Sequence, residues 1–200
     1  MKTAQQYRAL AREQLGGQIF GNTWLYGVLI ALICSAVFSL LSATGFGVII
    51  AFLVEGFLMV GISVIYLKLA HGEQEIDFND LFAAKDRIGN ALLLGLMKNL
   101  FTALWTLLFV VPGIIKMYAY SQAYYLSAEH ADWDWKMCLD ESQKMMRGNK
   151  WRLFCLDLSF IGWWIVGALC LGVGTLWVMP YCTAAKTNFH EDLLMTPVVE

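Results

Sequence analysis

The chain contains apolar runs that are too long and too continuous for a soluble core. Trp24–Ala43 and Phe46–Leu67 are both mostly apolar, and a helix needs about 20 such residues to cross the hydrocarbon core of a bilayer. Of the 200 residues, 58% are hydrophobic and 15% are charged, whereas soluble domains have roughly 25% charged residues. The runs therefore predict a helical membrane protein.

Four further helices follow from the same length criterion. Pro112 separates a third apolar run from a shorter, more polar helix, because proline suits the first turn of a helix. The last apolar stretch is too long for one crossing, and Gly172 and Gly174 divide it. The sequence thus predicts an all-α membrane protein, one polytopic domain over 1–200, with six transmembrane helices in three hairpins. The predicted helices are 24–43, 46–67, 91–111, 112–128, 153–170 and 174–190.

Lysine and arginine are concentrated at one end of every predicted hairpin. Twelve of the fourteen cations lie before the first helix, in the two long loops or near the C-terminus, and the three short turns contain none. Cytoplasmic loops are enriched in these residues. We therefore expect the N- and C-termini and both long loops to be cytoplasmic.

Three polar segments beside the spans carry apolar residues at helical spacing. We expect them to be short amphipathic helices on the cytoplasmic leaflet, with a solvated linker helix as the alternative for the third. Arg147, Lys150 and Arg152 follow the third segment and are expected to bind anionic lipid head groups. The segments are 1–20 (Tyr7, Leu10, Leu15, Ile19), 78–88 (Phe78, Leu81, Phe82, Ile88) and 134–147.

The first predicted transmembrane helix has a small residue at every fourth position. These residues are Gly27, Ala31, Ser35, Ser39 and Ala43. Small residues at this spacing let helix backbones approach closely where lipid provides no hydrophobic bias. We expect this face to be buried against another helix of the chain, or against a membrane-protein partner or a second copy.

Four ionisable side chains lie inside predicted spans, where a lone charge costs several kcal/mol. They are Glu55, Lys98, Lys116 and Asp157. Lys98 and Asp157 lie at similar depths from the cytoplasmic ends of their helices, so they can form a pair, and Glu55 is an alternative partner for Lys98. Lys116 is expected to extend its amine toward the outer face.

These side chains have two interpretations. In the first, they form a polar, water-filled site for an ion, a proton or a polar solute, with Tyr118 and Tyr125 of the polar fourth helix beside it. In the second, they form internal ion pairs or protonated carboxyl groups that only fix the packing of the helices.

No motif of soluble enzyme chemistry is present. The three histidines are isolated, and no Cys/His spacing suits a metal ion. We predict no catalytic residue, cofactor, metal or nucleic-acid partner. The expected function is non-enzymatic: binding or transport of a solute or lipid, or support of a membrane complex. The alternative is a membrane-embedded enzyme that acts on a lipid or isoprenoid substrate at the cytoplasmic interface.

Four motifs in the second half of the chain resemble one known family. They are PGIIKMYAYSQAYYL (112–126), MMRGNKW (145–151), LDLSFIGW (156–163) and GVGTLWVMPY (172–181). Together and in this order they are similar to the "domain of unknown function 975" family of bacterial integral membrane proteins. The resemblance implies a six-helix protein of the bacterial inner membrane. It implies no established activity, and so it assigns no role to any residue.

Overall fold

A computed structural model of the chain describes residues 2–17, 21–42, 47–73, 77–170 and 172–195, without the side chains of 41–42, 47–49 and 51–53. Within these ranges every regular element is helical, and two short 3₁₀-helices, Phe78–Phe82 and Lys85–Arg87, precede α4. The α-helices are α1 (Ala4–Gln14), α2 (Asn22–Ser42), α3 (Gly47–Ala70), α4 (Ile88–Leu108), α5 (Val110–Ala119), α6 (Ala123–Glu129), α7 (Trp135–Met145), α8 (Lys150–Leu169) and α9 (Val173–Met195).

The predicted all-α class is confirmed for the described residues. Among these residues, three helical stretches are long and apolar enough to cross a membrane: Asn22–Leu40, Phe78–Leu108 and Lys150–Leu169. The predicted turn after the fifth helix is also present, and Gly172 adopts φ +80° there, a conformation that favours glycine. Six crossings and the orientation stay predictions.

The predicted fourth helix, 112–128, is wrong as a single element. The chain forms α5 and α6 instead, with a break at residues 120–122. Pro112 lies in the first turn of α5, as expected. Because α5 has only 10 residues, it is about 15 Å long, roughly half the thickness of a hydrocarbon core.

The break between α5 and α6 is stabilised by a side chain of α7. The hydroxyl of Ser142 accepts the N–H of Gln122 at 3.2 Å and donates to the carbonyl of Ala119 at 2.8 Å. Ser142 is fully buried. These two bonds pair backbone groups that would otherwise be left unpaired in the interior.

The helices form two compact units, which we describe separately. The first unit contains α1, most of α2, the end of α3, α8 and α9. The second contains most of α3, the loop at 77–87 and α4 to α7. The single domain over 1–200 stays a prediction.

The first unit is built around the contact between α1 and α9. Thr3 caps α1 by accepting the N–H of Gln6, and Tyr7, Ala11 and Leu15 are at most 1% exposed. The ring of Tyr7 lies edge-on to that of Phe189 at 5.5 Å. The apolar face predicted to lie on the lipid surface is therefore occupied by protein, and Ile19 lies outside the described residues.

The small-residue face of α2 is buried at its beginning only. A Cβ added to Gly27 would lie 2.6 Å from the Cβ of Pro180, so glycine is required for this contact with α9. Ala31 is half-buried, whereas Ser35 and Ser39 are exposed in this chain. Ala43, the last position of the face, lies outside the described residues.

In the second unit, α3 and α4 cross at Gly56 and Gly95 with their backbones in contact. A Cβ on Gly56 would lie 2.5 Å from the carbonyl oxygen of Ala91 and 2.8 Å from the Cα of Gly95. The core residues around this crossing come from α3, α4, α6 and α7, from the loop at 77–87 and from the break between α5 and α6. They are Phe57, Val60, Ala84, Ala91, Leu94, Tyr120, Ala123, Tyr124, Cys138 and Leu139.

The segment 78–88 does not form the single amphipathic helix that its spacing predicts. It forms the two 3₁₀-helices and the start of α4. Leu81 is buried, and its backbone packs directly on Gly61 of α3. A Cβ on Gly61 would overlap the backbone of Leu81. Phe78, Phe82 and Ile88 stay exposed.

Candidate functional site

Polar side chains from three helices meet beside the crossing of α3 and α4. The contact between Gly56 and Gly95 brings the two backbones together, and α6 runs along the same part of α4. One side chain comes from α3, two come from the turn of α4 that follows the crossing, and one comes from α6. We call this group the α3–α4 polar site; it consists of Glu55, Lys98, Asn99 and Tyr124.

The charged groups of the polar site both have protein partners. The amide nitrogen of Asn99 donates to Oε2 of Glu55 at 3.1 Å. The ammonium of Lys98 lies 3.8 Å from the centroid of the Tyr124 ring, which is a cation–π contact. A carboxylate and an ammonium are thus held in one small region between apolar helix surfaces.

The hydroxyl of Tyr124 is the unusual atom of this site. It is buried and has no hydrogen-bond partner among the described residues. It points to the crossing, 3.7 Å from the place of a Cβ on Gly95. An unpaired buried hydroxyl costs about 1–3 kcal/mol, so this group is available to a bound molecule or water.

Part of this site follows from the sequence. Glu55 and Lys98 are predicted candidates and lie in it, whereas Asn99 is not predicted because a neutral amide in an apolar span is a weaker signal than a charge. The tyrosine beside Lys98 is Tyr124, and the predicted candidates Tyr118 and Tyr125 are half-buried and buried elsewhere on α5 and α6. Glycines inside both spans are a signal of close helix crossing that was available in the sequence.

Lys116 has partners within the second unit, and its predicted extension toward the outer face stays a prediction. Its amine donates to Oε1 of Gln143 on α7 at 2.8 Å. It also lies 5.4 Å from the ring centroid of Trp105 and 5.5 Å from that of Tyr120. Lys116 therefore holds α5 against α7 within the second unit.

Asp157 lies in the first unit and has a cationic partner there. Its Oδ1 is 2.9 Å from Nζ of Lys186 on α9, the cation near the C-terminus that is predicted to be cytoplasmic. This ion pair joins α8 to α9. The predicted pair of Asp157 with Lys98 stays a prediction.

A buried network joins α1, α8 and α9. Nη2 of Arg152 donates to Oδ2 of Asp192 at 2.6 Å and to the hydroxyl oxygen of Tyr7 at 2.7 Å. The hydroxyl of Tyr7 in turn donates to Oδ2 of Asp192 at 2.7 Å. The guanidinium also lies 5.4 Å from the ring centroid of Phe189. This network was missed because the last helix was predicted to end at 190, whereas α9 continues to Met195.

A second polar contact sets the position of α1 along α9. Gln14 and Asn188 exchange two hydrogen bonds through their amide groups, at 2.9 Å and 2.6 Å. Because Gln14 lies two turns after Tyr7 on the same helix, the two contacts together define both the rotation and the register of α1.

The three cations predicted to bind lipid head groups differ in their exposure and in their hydrogen bonds. Arg147 is exposed and Lys150 is partly exposed. Arg152 is bonded to Asp192 and Tyr7 inside the network. Binding of anionic head groups by these residues stays a prediction, and Arg152 has in addition a structural role within the first unit.

Cys138 of α7 is predicted to react slowly with thiol reagents. Burial, with a smaller contribution from Asp134, raises the pKa of Cys138 to about 11. The thiolate is the reactive form, so at neutral pH less than about one molecule in a thousand is reactive at this position. We expect Cys138 to be modified by maleimide after denaturation in sodium dodecyl sulfate and not in the folded protein, as measured by peptide mass spectrometry. Equal rates in both states would contradict this.

Over the residues that the structure describes, the protein is all-helical and has three stretches long and apolar enough to cross a membrane. The model of one family, "Protein of unknown function (DUF975)", matches residues 1–118 and 109–196. The chain belongs to this family, as the four motifs of its second half indicated. No curated protein and no solved structure matches it.

Proposed function

We propose that this chain is a multi-pass protein of the bacterial inner membrane, with its N- and C-termini in the cytoplasm. Three apolar hairpins would enter the bilayer from the cytoplasmic side. Long apolar helices and the one-sided distribution of Lys and Arg support this arrangement. The resemblance of the four motifs to a family of bacterial integral membrane proteins supports it as well.

We further propose that the protein binds a small polar or charged solute at the α3–α4 polar site, and that it is not an enzyme. The observation that carries this proposal is the buried Tyr124 hydroxyl without a hydrogen-bond partner among the described residues. It lies beside the ammonium of Lys98 and within the electrostatic influence of Glu55. Ionisable groups at such positions in membrane proteins usually mark the paths or binding sites of solutes.

The three groups supply complementary contacts for a solute. Tyr124 can donate a hydrogen bond, Lys98 can pair with an anionic oxygen, and Glu55 can accept from a cationic or N–H group. Because the carboxylate and the ammonium lie in the same site, a molecule with both a donor and an acceptor would satisfy all of them.

Replacing Tyr124 with phenylalanine tests the proposal, because it removes only the unpaired hydroxyl. We expect Tyr124→Phe to raise the stability of the ligand-free protein by about 1 kcal/mol, since an unsatisfied buried group is removed. The same variant should lose most of the stabilisation that a bound solute gives. The measurement is the melting temperature in detergent, with and without a panel of inorganic ions, amino acids and native lipid extract.

Tyr7→Phe is the matched control for this experiment. Its hydroxyl is also buried but is bonded to Asp192 and Arg152, so its removal should lower the stability and leave the ligand effect unchanged. If Tyr124→Phe is destabilising and the panel shifts both proteins equally, the site does not bind a solute. The polar side chains would then serve only to fix the packing.

A further inference from the structure

The turn between α4 and α5 carries large apolar side chains that the protein does not cover. Leu107, Phe109 and Val111 are 84%, 69% and 67% exposed. No charged residue lies between Lys98 and Lys116. Exposed apolar patches of this kind mark contacts outside the chain, and this one fits the acyl chains of a bilayer.

The arm that returns from this turn is short. α5 has 10 residues and covers about 15 Å, whereas the hydrocarbon core is about 30 Å thick. If α5 and the second half of α4 alone enter the bilayer, their turn reaches about its middle.

The charged surface of α7 marks where the bilayer must end. Ser142 bonds directly to the carbonyl of Ala119, so α7 lies beside the last turn of α5. Two residues later, the side chain of Lys144 is 63% exposed and pairs with Glu141 at 2.8 Å, and Asp140 is exposed on the same helix. If the α4–α5 turn reached the far surface, these charges would lie near the centre of the bilayer, where they cost several kcal/mol each.

The length of α4 does not contradict this limit. With 21 residues it is long enough to cross, but one face of its first half packs against protein. Ala91, Leu94 and Gly95 are buried, and the side chain of Asn90 donates to the carbonyl of Trp133 in the loop before α7. The opposite face of this half still exposes Leu93, whereas no residue of the second half is buried. The second half of α4 is therefore the part most open to acyl chains.

We propose that α4 and α5 form a re-entrant hairpin, which enters from the cytoplasmic side and ends within the bilayer, with its tip in contact with acyl chains. This rests on the proposed insertion and orientation of the protein. The α3–α4 polar site then lies at the base of the hairpin, close to the cytoplasmic head groups, and is open to molecules from the cytoplasm or the inner leaflet.

The test compares two single-cysteine variants of the full chain in which the native cysteines are replaced. Val110→Cys places the thiol at the tip, and Asp140→Cys places it on the charged side of α7. Cells are treated with a membrane-impermeant maleimide, either intact or after permeabilisation. We expect the thiol at position 110 to stay unmodified in intact and in permeabilised cells. It should be fully modified after denaturation in sodium dodecyl sulfate. Position 140 should be modified only after permeabilisation.

The two positions separate the failure of this inference from that of the proposed orientation. Modification of the Val110→Cys variant in intact cells would show that the hairpin crosses, and modification after permeabilisation only would show that its tip lies in the cytoplasm. Either result overturns the re-entrant hairpin. Modification of the Asp140→Cys variant in intact cells would overturn the orientation instead.

A second pair of variants keeps the test independent of thiol chemistry. Val110→Lys should sharply reduce the amount of folded protein recovered from vesicles of phosphatidylethanolamine and phosphatidylglycerol, because its amine cannot reach either surface from the tip. Val110→Leu should be recovered like the unmodified protein. Equal recovery of the two variants would place the tip at an aqueous surface and overturn the proposal.

Discussion

Replacing Asp192 with alanine is expected to destabilise the protein by about 3 kcal/mol, because the largely buried guanidinium of Arg152 loses the carboxylate that neutralises it. Arg152 and Tyr7 both bond to Oδ2 of Asp192, and the Asp192 side chain is 8% exposed. The measurement is the free energy of unfolding of the purified protein in detergent. We expect α1 to separate from α9 first, since this network is one of the polar contacts that hold it.

The double variant Asp192→Ala/Arg152→Met provides the control for this prediction. Removing the stranded guanidinium should restore part of the lost stability, so the two changes should not be additive. Asp157→Ala, which breaks the more exposed pair with Lys186, should cost less. If the double variant loses the sum of the two single effects, the residues do not act as a network.

The pH dependence of the same network follows from the two shifted groups. Burial by itself raises the pKa of Asp192, but the hydrogen bonds from Tyr7 and Arg152 and the charge of Arg152 outweigh it and lower the pKa below 3.8. This contribution to stability is present above pH 3.8 and is lost as the pH falls through the lowered value. Burial and the bond to Asp192 raise the pKa of Tyr7 above 10.0, so its contribution is present below pH 10.0 and is lost at higher pH. The Asp192→Ala variant should lack the acid-side loss.

The second large effect is expected at the crossing of α3 and α4. Gly95→Ala would place a Cβ 2.5 Å from the Cα of Gly56 and 2.9 Å from its nitrogen. Backbone atoms cannot move aside as a flexible side chain can, so the two helices must separate. We expect a loss of about 3 kcal/mol together with loss of any ligand effect at the polar site, measured by unfolding in detergent.

Gly89→Ala is the matched control on the same helix. A Cβ at Gly89 meets nothing within 4 Å, and alanine is up to about 1 kcal/mol more favourable than glycine in a helix. This variant should be as stable as the unmodified protein or slightly more stable. If Gly95→Ala behaves like Gly89→Ala, the backbones of α3 and α4 do not meet at this crossing.

The partners of the charged residues could not be predicted from the sequence, because they depend on how the helices pack. A charged residue in an apolar span is visible in the sequence, and Glu55, Lys98, Lys116 and Asp157 were found on that basis. Their partners were not, because a partner is defined by which helix faces which. The amine of Lys116 reaches Gln143, and the carboxylate of Asp157 reaches Lys186; neither follows from the spacing along the chain.

The sequence by itself determined the helical class of the described residues, the apolar runs and the turn at Gly172, because these depend on local hydrophobicity and on glycine. It also determined the family, through motifs that lie in fixed order. Only the tertiary structure decided where α5 ends. The break requires the hydroxyl of Ser142 to pair two backbone groups at Ala119 and Gln122, and this side chain lies about 20 residues further along the chain. Tyr124 lies after this break, and its ring faces the amine of Lys98. A prediction of one continuous helix could not identify which tyrosine faces the polar site.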